Sequence, residues 1–199
     1  IWAPGVRAFR NLRFNTKAAI ISLAFMLPML TLVGWLLKSE LDSAMQSHMD
    51  ATRQHVEIGH GILAWAHAQE TSGKLPREQA QQLAREAISQ LRYDKQEYFW
   101  INDMSAHIVV HPYRPDLHGE PVPDFRYPMG KNLLEEFVKV VKAHGAGYVD
   151  YLFQWQDDPS RIVPKLSYVR EFKPWGWVIG TGLYMEDVNI ETGLIAKPL

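Results

Sequence analysis

The sequence predicts an α+β fold, an antiparallel sheet with its helices segregated from the strands, preceded by a helix of membrane-spanning length. Three observations predict it. Twenty consecutive residues from Ala18 to Leu37 carry no charge, apolar positions then recur every three or four residues to about Arg92, and beyond that the period switches to two.

The uncharged run gives about 30 Å of helix at 1.5 Å per residue, enough to cross a bilayer. Pro28 removes one backbone donor, which a membrane helix tolerates, and Trp35 lies near the far end, where interfacial aromatics are favoured. Arg7, Arg10, Arg13 and Lys17 precede the run with no acid among them. Residues 1–17 therefore read as a cytoplasmic basic tail, 18–37 as a transmembrane helix, and the chain from Lys38 onward as lying outside the cytoplasmic (inner) membrane, in the periplasm. A cleaved signal peptide would have a shorter apolar core and a small-residue cleavage site, whereas Lys38-Ser39-Glu40-Leu41-Asp42 comes directly after the run. A buried core helix fits less well, since the stretch is apolar on every face.

Leu41, Met45, Met49, Thr52, Val56, Ile62, Leu63 and Ala66 mark one long amphipathic helix ending at Thr71-Ser72-Gly73-Lys74. Pro76 suits the first turn of a second helix, whose stripe is Ala80, Leu83, Ala84, Ala87, Ile88 and Leu91. Tyr98 to Asn102 and His107 to His111 read as a hairpin around Asp103 to Ala106, with Phe99 and Ile101 on one face and Tyr98 and Trp100 on the other. His111 to Met129, with its prolines, is irregular. Asn132 to Ala143 is a short helix stopped at Gly145/Gly147, and Tyr148 to Trp155, Lys165 to Phe172 and Trp177 to Tyr184 are three more strands.

The chain has 199 residues, 12% aromatic, and no cysteine. That excludes disulfide scaffolds, thiolate metal sites and thiol nucleophiles. Its net charge is −1 and the acidity lies beyond the tail, which with an outside location argues against nucleic acid. No metal is expected: His107 and His111 would stand about 13 Å apart along a strand. No catalytic site is expected either. Asp157-Asp158 and Glu135-Glu136 are merely adjacent, Ser167 lacks a nucleophile-elbow context, and Gly180-Thr181-Gly182 opens no helix that could cradle phosphate.

Tyr98-Phe99-Trp100-Ile101-Asn102-Asp103, His111-Pro112, Gly119, Lys165 to Val169 and Pro174 to Tyr184, in this order and spacing, resemble the single Cache domain, type 2. The resemblance covers roughly residues 40–190 together with the preceding anchor. It implies a PAS-like sheet with a long amino-terminal helix on one side and a small-molecule pocket on the other. It also implies the input domain of a methyl-accepting chemotaxis receptor, a sensor and not an enzyme, working without a cofactor as a membrane-anchored homodimer. Small organic acids such as acetate, propionate, pyruvate or lactate are one frequent ligand class of the family. The alternatives are the input of a histidine kinase or diguanylate cyclase, and a membrane-tethered structural or interaction module. A full receptor would continue past Glu186-Asp187 into a second membrane helix, so residues 38–190 are expected to be the sensor and 191–199 a remainder leading to it. The spacing is loosest at Glu120 to Met129, which bears on ligand size.

A carboxylate leaving water needs charge-assisted donors. Lys165, opening a strand, is the expected cation, and Arg92 is the runner-up. His111 offers a ring nitrogen, Tyr98, Tyr151 and Tyr168 offer phenols on apolar bodies, and Trp100 offers a wall. Lys165 is expected to be solvated, so that Lys165→Ala leaves the empty domain's stability nearly unchanged. His111 is expected to protonate as the pH falls toward 6.

Overall fold

Fifty-eight residues, Phe14–Thr71, form helix α1 in the computed structural model, which describes residues 9–10, 12–94, 97–118, 133–155 and 158–185. The first eight residues, the segment Glu120 to Met129 and residues 191–199 lie outside the described residues. The chain divides into two units, Ile1–Ala44 and Met45–Leu199.

In the first unit the α1 stretch is long and apolar enough to cross a membrane, and none of that stretch is buried. Phe25, Leu30, Trp35 and Leu37 are all exposed. Pro28 lies inside the helix, and Thr31 Oγ1 donates to its carbonyl at 2.8 Å.

In the second unit α1 buries Thr52, Val56, Gly59, Leu63 and Ala66, alternating steps of four and three that keep one face on the sheet. The approach is close at Gly59, where a Cβ would stand 2.7 Å from Ile179 Cδ1. Gly73 takes φ +73°, a left-handed conformation that ends the helix cheaply only in glycine. Helix α2, Arg77–Gln90, comes after Pro76 and buries Ala80, Ala84 and Ile88.

Strands β1, Arg92–Tyr93, and β2, Glu97–Tyr98, form a short antiparallel ribbon. The main sheet has β3, Trp100–Asp103; β4, Ile108–Val110; β5, Ala146–Trp155; β6, Asp158–Phe172; and β7, Trp177–Tyr184, with helix α3, Leu133–His144, between β4 and β5. Its order is β4-β3-β7-β6-β5, and every pair is antiparallel. The last strand among the described residues is thus the central one.

Strand β6 starts seven residues before the expected Lys165. Pro164, which cannot donate to a ladder, stands just before that expected start. Here β7 ends opposite Lys165, so residues 158–164 pair only with β5 and their other side needs no donor. Alternation along the strands makes two cores. Phe99, Ile101, Phe172, Trp177 and Ile179 pack with α1 and α2, and Tyr98, Trp100, Phe153, Val169 and Val178 pack with α3.

Candidate ligand-binding site

Lys165 sits on the α3 side of β6, paired with Tyr151 of β5 and Tyr184 of β7. It is 1% exposed. Its ammonium donates to the Tyr98 hydroxyl at 3.2 Å and lies 4.3 Å from the Tyr98 ring centroid, 4.2 Å from that of Tyr184 and 5.5 Å from that of Phe153. It forms no ion pair among the described residues. Burial draws its pKa down to about 8, with the charge of Glu97 opposing. The expectation of a solvated lysine is therefore corrected: period-two alternation turns its stem into the aromatic core.

Tyr98 carries the next layer. His111 and Tyr113 pack against its ring at centroid distances of 5.1 and 4.9 Å. His111 is nearly fully buried, and burial first, then the charges of Lys165 and Arg114, pulls its pKa down to about 3. It stays neutral at pH 6, contrary to the sequence expectation, because burial disfavours the charged imidazole and the Lys165 charge adds to that. Burial pushes the Tyr98 and Tyr151 phenols well above the usual tyrosine range, so both remain protonated donors.

Tyr151 shares a 2.9 Å hydrogen bond with Ser167 on the same face. That contact depends on Gly182, where a Cβ would stand 2.0 Å from Ser167 Oγ. Trp100 lies across Gly180, where a Cβ would stand 2.4 Å from the indole. The Gly180-Thr181-Gly182 pair of glycines thus admits side chains flat against the centre of the sheet. Trp100 Nε1 and His111 Nδ1 are buried and make no hydrogen bond among the described residues. A buried cation with two orphan nitrogens on the same side of the sheet is a donor set suited to a small anion.

Five of the six expected residues, Tyr98, Trp100, His111, Tyr151 and Lys165, therefore lie on one side of the sheet. Tyr168 does not join them. Three residues beyond Lys165, it points to the α1 side and packs on Tyr148 at 4.7 Å, whose hydroxyl donates to Met49 O on α1. It also lines a groove of about 560 Å³ with Glu57, His60 and Arg170. Arg92 is exposed, donates to Ser89 O and Leu91 O, and stands 5.7 Å from the Tyr113 ring, one aromatic layer outside Tyr98. Tyr113, Phe153 and Tyr184 join the site from outside the expected set. Tyr184 and Phe153 have a signal in the sequence, since Tyr184 continues the period-two face of Gly180 and Gly182 and Phe153 that of Tyr151; Tyr113 reaches the site through its loop path, which leaves no local mark.

A long helix against one face of a five-stranded antiparallel sheet, with a polar aromatic cluster on the other, is a PAS-like sensory architecture. The chain belongs to the Single Cache domain 2 family, which matches residues 44–197. It is 37% identical over 188 residues to the methyl-accepting chemotaxis protein McpP of Pseudomonas putida, covering 94% of this chain and 34% of that protein's length. Among solved structures it resembles the periplasmic sensor domain of a chemotaxis protein, with a TM-score of 0.68 and 41% identity over 70% of this chain and 96% of that one. It also resembles a Cache chemosensory domain solved for its recognition of carboxylic acids, with a TM-score of 0.68 and 36% identity over 72% of this chain and 97% of that one.

Proposed function

We propose that this chain is the sensing segment of a transmembrane chemoreceptor and that it binds a small monocarboxylate. Residues 18–37 cross the cytoplasmic membrane, residues 1–17 lie on its cytoplasmic side, and residues 38–190 sense ligand outside it as a homodimer. The ligand carboxylate accepts from Lys165, with Tyr98 and Tyr151 as neutral donors. Trp100 and His111 supply the remaining nitrogens, while the surrounding rings take the apolar end. Tyr168 has no part in this.

The carrying observation is the Lys165 ammonium, buried among aromatic rings without an ion pair among the described residues. A lone buried cation is unfavourable in itself, and an anion that enters its site relieves that cost. The solved Cache domain that recognises carboxylic acids, at 36% identity, supports the same ligand class. Calorimetric titration of the chain in detergent micelles with acetate, propionate and pyruvate tests the reading. Saturable binding of at least one acid is expected; heat of dilution alone for all three overturns it.

A further inference from the structure

We propose that Tyr93 and Thr181 form a link through the sheet that carries the state of the Lys165 site to His55 on α1. The role of Lys165 rests on the reading above; the path itself rests on contacts.

The path begins at the Tyr98 hydroxyl, which accepts from Lys165 on the α3 side. The carbonyl of the same residue accepts from Thr181 Oγ1 at 2.6 Å. Thr181 has one hydroxyl proton and commits it to that carbonyl, so in its 2.6 Å contact with the Tyr93 hydroxyl, Tyr93 is the donor. The Tyr93 ring then lies 4.0 Å from the His55 imidazole, centroid to centroid, inclined by 31°. One residue, Tyr98, thus touches the site with its side chain and the opposite face with its main chain.

Three features make this a link and not only packing. Tyr93 and Tyr98 belong to the two-stranded β1-β2 ribbon, whose ladder is separate from that of the main sheet and so does not fix their position against it strand to strand. Thr181 is 0% exposed, so its hydrogen bond to the Tyr98 carbonyl is shielded from water. His55 Nδ1 is buried and makes no hydrogen bond among the described residues, and the Tyr93 ring stacks on the imidazole.

Among the described residues, the charged groups facing this path are Asp94, which acts on His55 and Tyr93, and Glu97, which acts on Tyr93, Tyr98 and Lys165. When an anion takes the Lys165 ammonium, its charge-assisted bonds outcompete the neutral Tyr98 hydroxyl. Tyr98 then moves, and its peptide carries Thr181, Tyr93 and the ring over His55 with it. By linkage, a change at His55 acts back on the site equally.

The test reads the His55 imidazole by NMR in the chain, labelled at histidine, in detergent micelles. Two perturbations are applied: sodium propionate, and Lys165→Met, which removes the cation with no ligand present. Both should shift the His55 resonance, while His67, packed on Phe172 and Trp175 away from the path, stays in place. Tyr93→Phe keeps the ring and Thr181→Val keeps the branched Cβ, yet each removes a hydroxyl and should lose the His55 shift. Thr181→Ser should restore it, and if Thr181→Val does not fold, Tyr93→Phe decides. A His55 shift that persists without the Tyr93 hydroxyl, or that His67 shares, overturns the link, as does a still His55 in Lys165→Met. Propionate moving nothing while Lys165→Met still moves His55 through Tyr93 would uphold the link and remove the proposed ligand.

Discussion

The Lys165 ammonium stands 3.2 Å from the Tyr98 hydroxyl and 4.2 Å from the Tyr184 ring centroid, so its only polar partner among the described residues is a neutral phenol. Cation–π attraction, about 2 kcal/mol or more when desolvated, offsets part of the loss of hydration. The remaining deficit is what a bound anion would relieve.

Replacing that ammonium should separate binding from folding. Lys165→Met keeps the stem and should leave apo stability unchanged or raise it by about 1–4 kcal/mol, as for other buried charges replaced by apolar groups. Carboxylate affinity should fall roughly tenfold to a hundredfold, matching the ~1.5–3 kcal/mol of a charged hydrogen bond. Lys165→Ala should instead cost about 2–5 kcal/mol of apo stability, through the cavity left by a buried stem. Denaturant unfolding and calorimetry of both variants check this.

The direction of each pKa shift sets the pH dependence. Lys165 titrates near 8 when folded against 10.5 as the reference value. Carboxylate affinity should therefore fall above pH 8, by up to about tenfold per unit, with proton uptake on binding visible as buffer-dependent heat. Apo stability runs the other way: the unfolded chain holds more protons between pH 8 and 10.5, so this group's contribution rises with pH there. His111, near 3 when folded against 6.5, lowers stability as pH falls from 6.5 toward 3, by at most about 1.4 kcal/mol per unit. Thermal melts across both windows, with Lys165→Met and His111→Gln as controls, test the assignment.

Selectivity should not respond to mild acid. With Lys165 charged and His111 neutral, propionate should bind more tightly than malate at pH 7.5, and the preference should persist at pH 6. Acetate has four heavy atoms, so at a ceiling of about −1.5 kcal/mol each its Kd should not fall below some tens of micromolar. Calorimetric titration at both pH values checks this, and tighter binding of malate would point to a second cation, with Arg92 the first to substitute.

Gly182→Ala should destabilise the domain by about 1–3 kcal/mol or more, because the new methyl meets the Leu166 carbonyl at 2.7 Å as well as Ser167. It should also displace Ser167 from Tyr151 and weaken carboxylate binding. Gly145→Ala, also strained at φ +78° but with open space around it, should lose stability without losing affinity.

Orientation is testable by fusion. A reporter joined after residue 190 should be active only outside the cytoplasmic membrane, and cytoplasmic activity in a stable fusion would reverse the assignment of residues 1–17.

Much of this fold is legible in the sequence because burial is periodic. Thr52, Val56 and Ala66 on α1, Ala80, Ala84 and Ile88 on α2, and the opposed faces of Phe99 and Trp100 all come from counting. The same counting separates Tyr168 from Lys165, since an odd offset of three puts them on opposite faces of one strand. Lys165 itself is legible as a cation in an apolar run, but its burial is not. Burial depends on Tyr184 and Tyr151 flanking it from two strands, and cross-strand register is a property of pairing rather than of either segment. That Pro164 lies within β6 is illegible for the same reason, since an unpaired flank becomes visible only once the strand order is known.

The central place of β7 also bears on how the domain is made. A ribosome releases β3, β4, β5 and β6 before the strand that must lie between β3 and β6. Until Trp177–Tyr184 emerges, the nascent chain holds two sheet fragments with open inner edges, the kind of surface that pairs with the wrong chain. Closure then depends on contacts between residues far apart in sequence, such as Trp100 with Gly180, so folding should be slow for a domain of this size and should begin in earnest only once Trp177–Tyr184 has emerged.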